Sequence, residues 1–181
     1  MHNEREIEAK LQQLTRALMS YIDFQQAAAI ASIILSENLH DNYPRENRIK
    51  LEALNAAMVV AYCRAFSGNK GTPDLPNRFT RGLTAEEKEM HDALMVDRNQ
   101  VIAHSDSEAW NMRPHYLNVN GNQILVPLHN GVHRPFLREP TERISLLAGK
   151  QRERCFEIRE QLEKELKQHI PISSIEHNSV L

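Results

Sequence analysis

The chain predicts a mainly α-helical fold carrying one β-hairpin, on three observations. Apolar residues recur at spacings of three and four through most of its length. Asn120-Gly121 separates two short apolar-rich runs. Helix-breaking residues gather in one stretch, residues 67–83. At 181 residues, 41% hydrophobic and 25% charged, the chain is long enough for one domain with a sizeable core. The expected organisation is a single helical domain over residues 1–170 and a flexible polar tail over 171–181.

Ile7, Leu11, Leu14, Leu18 and Tyr21 alternate spacings of four and three, which predicts an amphipathic helix over residues 4–20. Phe24 to Leu39 is apolar on most faces and predicts a second, central helix with Asp23 as its N-cap. His40 to Pro44 breaks the pattern. A third helix is expected over Glu46–Phe66, carrying Leu51, Leu54, Met58 and Tyr62. Gly68, Gly71, Pro73, Pro76 and Gly82 then make residues 67–83 a long loop. Thr84-Ala85-Glu86-Glu87 has capping-box spacing and opens a fourth helix, which ends near residues 104–107. Tyr116–Val119 and Gln123–Val126 flank Asn120-Gly121, a pair suited to a type I′ turn because both residues need positive φ; the hairpin spans about 113–128. Ile144, Ala148, Gln151, Cys155, Ile158, Leu162 and Glu165 mark a long amphipathic helix over 142–168, weakened locally by Gly149.

Net charge is −2, so binding of a polyanion through bulk charge is not expected and any nucleic-acid contact must be local. No apolar run reaches the roughly 18 residues of a membrane span. The charged, helix-forming start Met1-His2-Asn3-Glu4-Arg5-Glu6 lacks the features of a secretory signal, so the expected compartment is the cytoplasm. Cys63 and Cys155 fall in apolar helical patterns and read as buried free thiols.

The residues that most require explanation lie near the end of the fourth helix. Ala93, Leu94, Met95 and Val96 on one side and Val101, Ile102 and Ala103 on the other cover nearly every helical face, which implies burial. Between them sits the polar island Asp97-Arg98-Asn99-Gln100, and buried charge is costly unless paired or functional.

Arg98-Asn99-x-x-x-Ala103-His104, near the end of a core helix in an all-helical chain, resembles the HEPN superfamily, whose signature is an arginine, four to six residues, then a histidine. The surrounding Tyr62-Cys63-Arg64-Ala65-Phe66-Ser67-Gly68-Asn69, Leu83-Thr84 and Ser105-Asp106 are similar to uncharacterised bacterial members related to abortive-infection proteins. The likeness is best over residues 49–106. It implies a HEPN-like helical bundle, into which the hairpin is inserted, acting as a homodimeric, metal-independent endoribonuclease, and no cofactor is expected. RNA would be the substrate, and an antitoxin protein a partner in a defence or toxin–antitoxin setting. Arg98, His104 and Asn99 would form the site, supported by Arg64 and Asp97.

The chemistry suits these side chains. Histidine can take the proton from a ribose 2′-OH near neutral pH, a second histidine can protonate the leaving oxygen, and an arginine can brace phosphoryl oxygens bidentately. Asn99 can orient either group or cap a neighbouring helix. On an ideal helix Arg98 and His104 stand roughly 9 Å apart along the axis and about 120° apart around it, so one chain makes a poor site. An isologous two-fold pair of such helices brings the arginine of one chain near the histidine of the other. Lys70, Arg78 and Arg81 add local positive charge able to steer an RNA backbone.

Each feature also has a structural reading. Arg98 can pair with Asp97 or Asp92, His104 can sit favourably at a helix C-terminus, Arg64 suits a helix end, and the loop cations can be merely solvated. His129 and His133 have a zinc-binding spacing, but the hairpin context and the lack of a third ligand oppose it. His91-Asp92 resembles the metal-binding pair of HD-type phosphohydrolases without that family's other ligands. Trp110 and Tyr116 can stack on a base or pack together. The rival function is a non-catalytic helical module that dimerises or binds a nucleotide, RNA or protein.

Overall fold

A computed structural model describes residues 2–41, 45–67, 74–99, 112–129 and 136–170. Among these the fold is mainly α with one small antiparallel hairpin. The elements are α1 (His2–Ser36), α2 (Arg45–Arg64), α3 (Arg78–Arg81), α4 (Ala85–Asp97), β1 (Met112–Val119), β2 (Asn122–His129) and α5 (Arg138–Leu166).

The two helices expected over 4–20 and 24–39 are one, α1. No glycine or proline interrupts Ser20 to Phe24, and the buried stripe Leu14, Ala17, Ser20, Phe24, Ala27, Ala31, Ile34 runs through without losing phase. Asp23 is therefore not an N-cap but a mid-helix residue, and its carboxylate is used at long range by Arg64. The end of α1 is a Schellman closure. Asn38 takes φ 50°, the Asn38 N–H donates to the Leu35 carbonyl and the Leu39 N–H to the Ile34 carbonyl, both at 3.2 Å, while Leu39 is buried. By length and composition α1 is also apolar enough to cross a bilayer, yet one side of it is the spine of the bundle.

Helix α1 packs chiefly along α5 and then along α2. Their shared core includes Phe24, Ile34, Leu51, Met58, Tyr62, Leu94, Ile144 and Leu147. A second cluster of Leu14, Leu162 and Leu166, with Ile7 and Leu11 against it, closes the far end of the α1–α5 pair. Helix α5 starts four residues earlier than its apolar pattern because Pro140 falls in its first turn, where a missing N–H is not needed.

The described part of the 67–83 segment is not wholly irregular. Its single turn α3 is fastened to α5: the Phe79 carbonyl accepts from Gln151 Nε2 at 3.0 Å and from Arg154 NH1 at 2.9 Å, and the Gly82 carbonyl accepts from Arg154 NH2 at 2.7 Å. A Cβ at Gly82 would lie 2.7 Å from that same nitrogen, so a side chain there would displace the Arg154 guanidinium.

In the hairpin, Asn120 and Gly121 take φ 51° and 84°, as a type I′ turn requires, and the Gly121 N–H donates to Asn118 Oδ1 at 3.0 Å. The register pairs Tyr116 with Leu125 and Leu117 with Ile124, and residues 114–125 are all exposed. Both cysteines are free and buried. The segments 100–111, 130–135 and 171–181 lie outside the described residues, and with them the expected end of the fourth helix and the expected flexible tail.

Candidate functional site

Helix α4 leads into the motif, of which Arg98 and Asn99 are described, and is well anchored at its start. The Glu87 N–H donates to Thr84 Oγ1 at 3.2 Å and the Thr84 N–H to Glu87 Oε2 at 2.8 Å, the reciprocal capping box. The Glu87 carboxylate also takes Lys150 of α5 at 2.6 Å, and these bonds hold its carboxyl below the usual range.

Helix α4 buries Met90, His91 and Leu94 but is not buried all round. Ala93 is exposed and Val96 is 53% exposed, so part of the apolar pattern that implied burial lies on an open face of the single chain. Arg98 follows at the C-terminal end, where the helix widens into a π turn over residues 98–99. Its backbone N–H reaches the carbonyls of Leu94, Met95 and Val96, and its guanidinium NH1 donates to Asn99 Oδ1 at 2.8 Å. The residue is half-buried, as is Asp97. This bond joins the two described residues of the motif.

The inner side of this helix end meets α2. Cys63 Sγ donates to the Leu94 carbonyl at 3.4 Å. Burial pushes the Cys63 thiol up to about 12, against the opposing pull of the Arg98 charge, so this cysteine is a packing residue and not a nucleophile. Two turns before Arg98, on the same face, the buried His91 places Nδ1 3.1 Å from the Tyr62 hydroxyl and its ring edge-on to Phe66, with centroids 4.6 Å apart. Burial lowers its basicity, opposed by Asp92 and reinforced by Lys88. Neutral imidazole accepts the phenol O–H at Nδ1, and protonation would remove that acceptor. Asp92 points elsewhere, to Lys88 at 2.6 Å. His91 and Asp92 therefore do not form a joint ligand pair, and no group of three or more metal-ligating side chains occurs among the described residues.

A pH dependence follows. The folded state holds His91 below its unfolded value of about 6.5, so the unfolded chain binds the extra proton more readily and stability falls as pH drops through and below that value. His40 acts in the same direction, its basicity lowered by burial while its Nε2 contacts the Phe136 carbonyl at 3.1 Å. The melting temperature is expected to fall between pH 7.5 and pH 5. His91→Gln, which keeps an acceptor for Tyr62 without titrating, should flatten that slope, and an unchanged slope would remove His91 as its source.

Arg64, at the end of α2, reaches back to α1, donating to Asp23 Oδ1 at 2.9 Å and to the side-chain amide oxygen Oε1 of Gln26. Its own backbone carbonyl accepts from Arg16 NH2 at 2.7 Å. Arg16 is a fully buried arginine that the periodicity of residues 4–20 did not single out. Its signal was the polar phase Arg16, Ser20, Asp23 inside an otherwise apolar stretch. Arg78 and Arg81 are exposed on α3, next to the start of α4, whereas Arg98 closes that helix about 20 Å further along its thirteen residues. The chain joins Arg98 with Asn99 and gathers Arg64, Asp23 and Arg16 into a separate cluster. His104, Lys70, Trp110 and His133 lie outside the described residues.

Comparison of the chain with protein-family models, with curated proteins and with solved structures finds no match in any of the three.

Proposed function

We propose that this chain is a metal-independent endoribonuclease that works as a homodimer in the cytoplasm, in a defence or toxin–antitoxin setting. The observation that carries the reading is the motif Arg98-Asn99-x-x-x-Ala103-His104, with its arginine hydrogen-bonded to its asparagine where α4 ends. Ala93 and Val96 leave an open apolar face on α4, about half a turn around the helix from Arg98, and a symmetry mate packed there would cover it. In the reaction, His104 takes the proton of a ribose 2′-OH, whose oxygen attacks the adjacent phosphorus. The P–O5′ bond breaks, the second histidine of the dimer protonates the leaving oxygen, and a 2′,3′-cyclic phosphate and a 5′-OH result. Arg98 braces the phosphoryl oxygens as charge develops on them. Its bond to Asn99 uses one of five guanidinium N–H donors and fixes the plane of the rest.

Complementation tests the composite site. A mixed dimer of Arg98→Ala and His104→Ala chains keeps one arginine and one histidine, enough for the brace and the base but with water left to protonate the leaving oxygen. Mixing two inactive variants should therefore restore cleavage in part, above either variant alone. No recovery, with mixed dimers verified by differential tagging, would remove the shared site.

A further inference from the structure

We infer that the cavity between α1, the α3 segment and α5 is a binding site for a small organic monoanion, a carboxylate or phosphate monoester carried on a single ring. The cavity has a volume of about 260 Å³, just under the roughly 300–1,000 Å³ of ordinary ligand pockets, which suits a body of one ring. Ala17, Leu75, Pro76, Phe79 and Ile158 supply apolar walls. Arg16, Arg78, Asp74 and Gln13 supply its polar groups.

The feature that points to an anion is Arg16. It lines this cavity and is 1% exposed, and one of its nitrogens holds the Arg64 carbonyl. Its Nε and NH1 are shielded from water and have no hydrogen-bond partner among the described residues. A buried guanidinium with two unsatisfied donor groups is a costly arrangement unless something completes it. Asp23 and Asp74 both lie near enough to act on its charge, with Asp23 Oδ1 committed to Arg64. The shielded donors do not face the cavity, so engagement requires the Arg16 guanidinium to turn toward it; an oxyanion there then supplies the missing acceptors through charge-assisted hydrogen bonds. Two arginines against the one lining carboxylate, Asp74, leave a single positive charge, which selects a monoanion over a neutral ring or a polyanion.

The proposal stands apart from the ribonuclease reading, because the cavity shares no residue with the Arg98 motif, and either can fail alone. Calorimetric titration of the full chain with benzoate, with phenyl phosphate near pH 5, where it carries one charge, and with neutral benzamide tests it. At least one anion should bind with one-to-one stoichiometry and at least tenfold more tightly than benzamide, and the stronger of the two identifies the headgroup. Arg78→Ala, on an exposed turn, should weaken that anion several-fold without changing the fold. Arg16→Gln should weaken it tenfold or more, and if that chain does not fold the Arg78 variant decides alone. Absence of saturable binding by both anions, equal binding of benzamide, or unchanged affinity in Arg78→Ala overturns the proposal.

Discussion

His104→Ala is expected to lower RNA cleavage by about 10²–10⁴-fold, the usual contribution of a positioned general base, with helical content and melting temperature unchanged. Arg98→Ala should cost about 10²–10³-fold, as loss of an electrostatic brace for developing charge does. Stability should barely register the Arg98 change. The arginine is half-buried, and the bond it gives up among the described residues is to its own neighbour Asn99, a contact worth about 0.5–1.5 kcal/mol. A purely structural Arg98 predicts the reverse, a marked loss of stability with cleavage, where present, scaling only with the folded fraction. Circular dichroism and a cleavage time course on the same preparations separate the two.

Ile22→Pro should destabilise the chain by about 3 kcal/mol or more, since proline inside a helix removes one backbone hydrogen bond and clashes with the preceding turn. The side chain itself contributes little, because Ile22 is 62% exposed, so Ile22→Ala should be nearly neutral and isolates the backbone effect. The prediction discriminates between one long α1 and two helices meeting near residues 21–23, where proline would fall at a boundary and be tolerated. Urea unfolding of the two variants reads the difference directly.

That boundary shows what sequence patterning resolves and what it does not. Signals confined to a few consecutive residues were legible: the Thr84–Glu87 capping box and the Asn120-Gly121 turn were placed correctly because every group involved is local. Asp23 was ambiguous for the opposite reason. An aspartate ahead of an apolar run caps a helix unless a distant cation claims it, and Arg64, 41 residues away, does so. Adjacent residues need not act together, as His91-Asp92 shows. Neighbours on a helix diverge by about 100°, so His91 turns inward to Tyr62 while Asp92 turns outward to Lys88. Apolar Ala93 and Val96 read as core because a hydrophobic pattern cannot distinguish a buried face from one left open in a single chain. Arg98 and Asn99 were legible as a charged island, whereas the orphaned donors of Arg16 emerge only when α1 is set against α2, α3 and α5.

The central claim is that this chain cleaves RNA through Arg98 and His104 without a metal. Its most direct test is incubation of the purified wild-type protein and its His104→Ala variant with total cellular RNA and tRNA in EDTA, with the terminal groups of any fragments identified. The account predicts fragments ending in 2′,3′-cyclic phosphate from the wild type and none from the variant. An intact RNA pool with a folded wild-type dimer, or equal cleavage by both proteins, would contradict it.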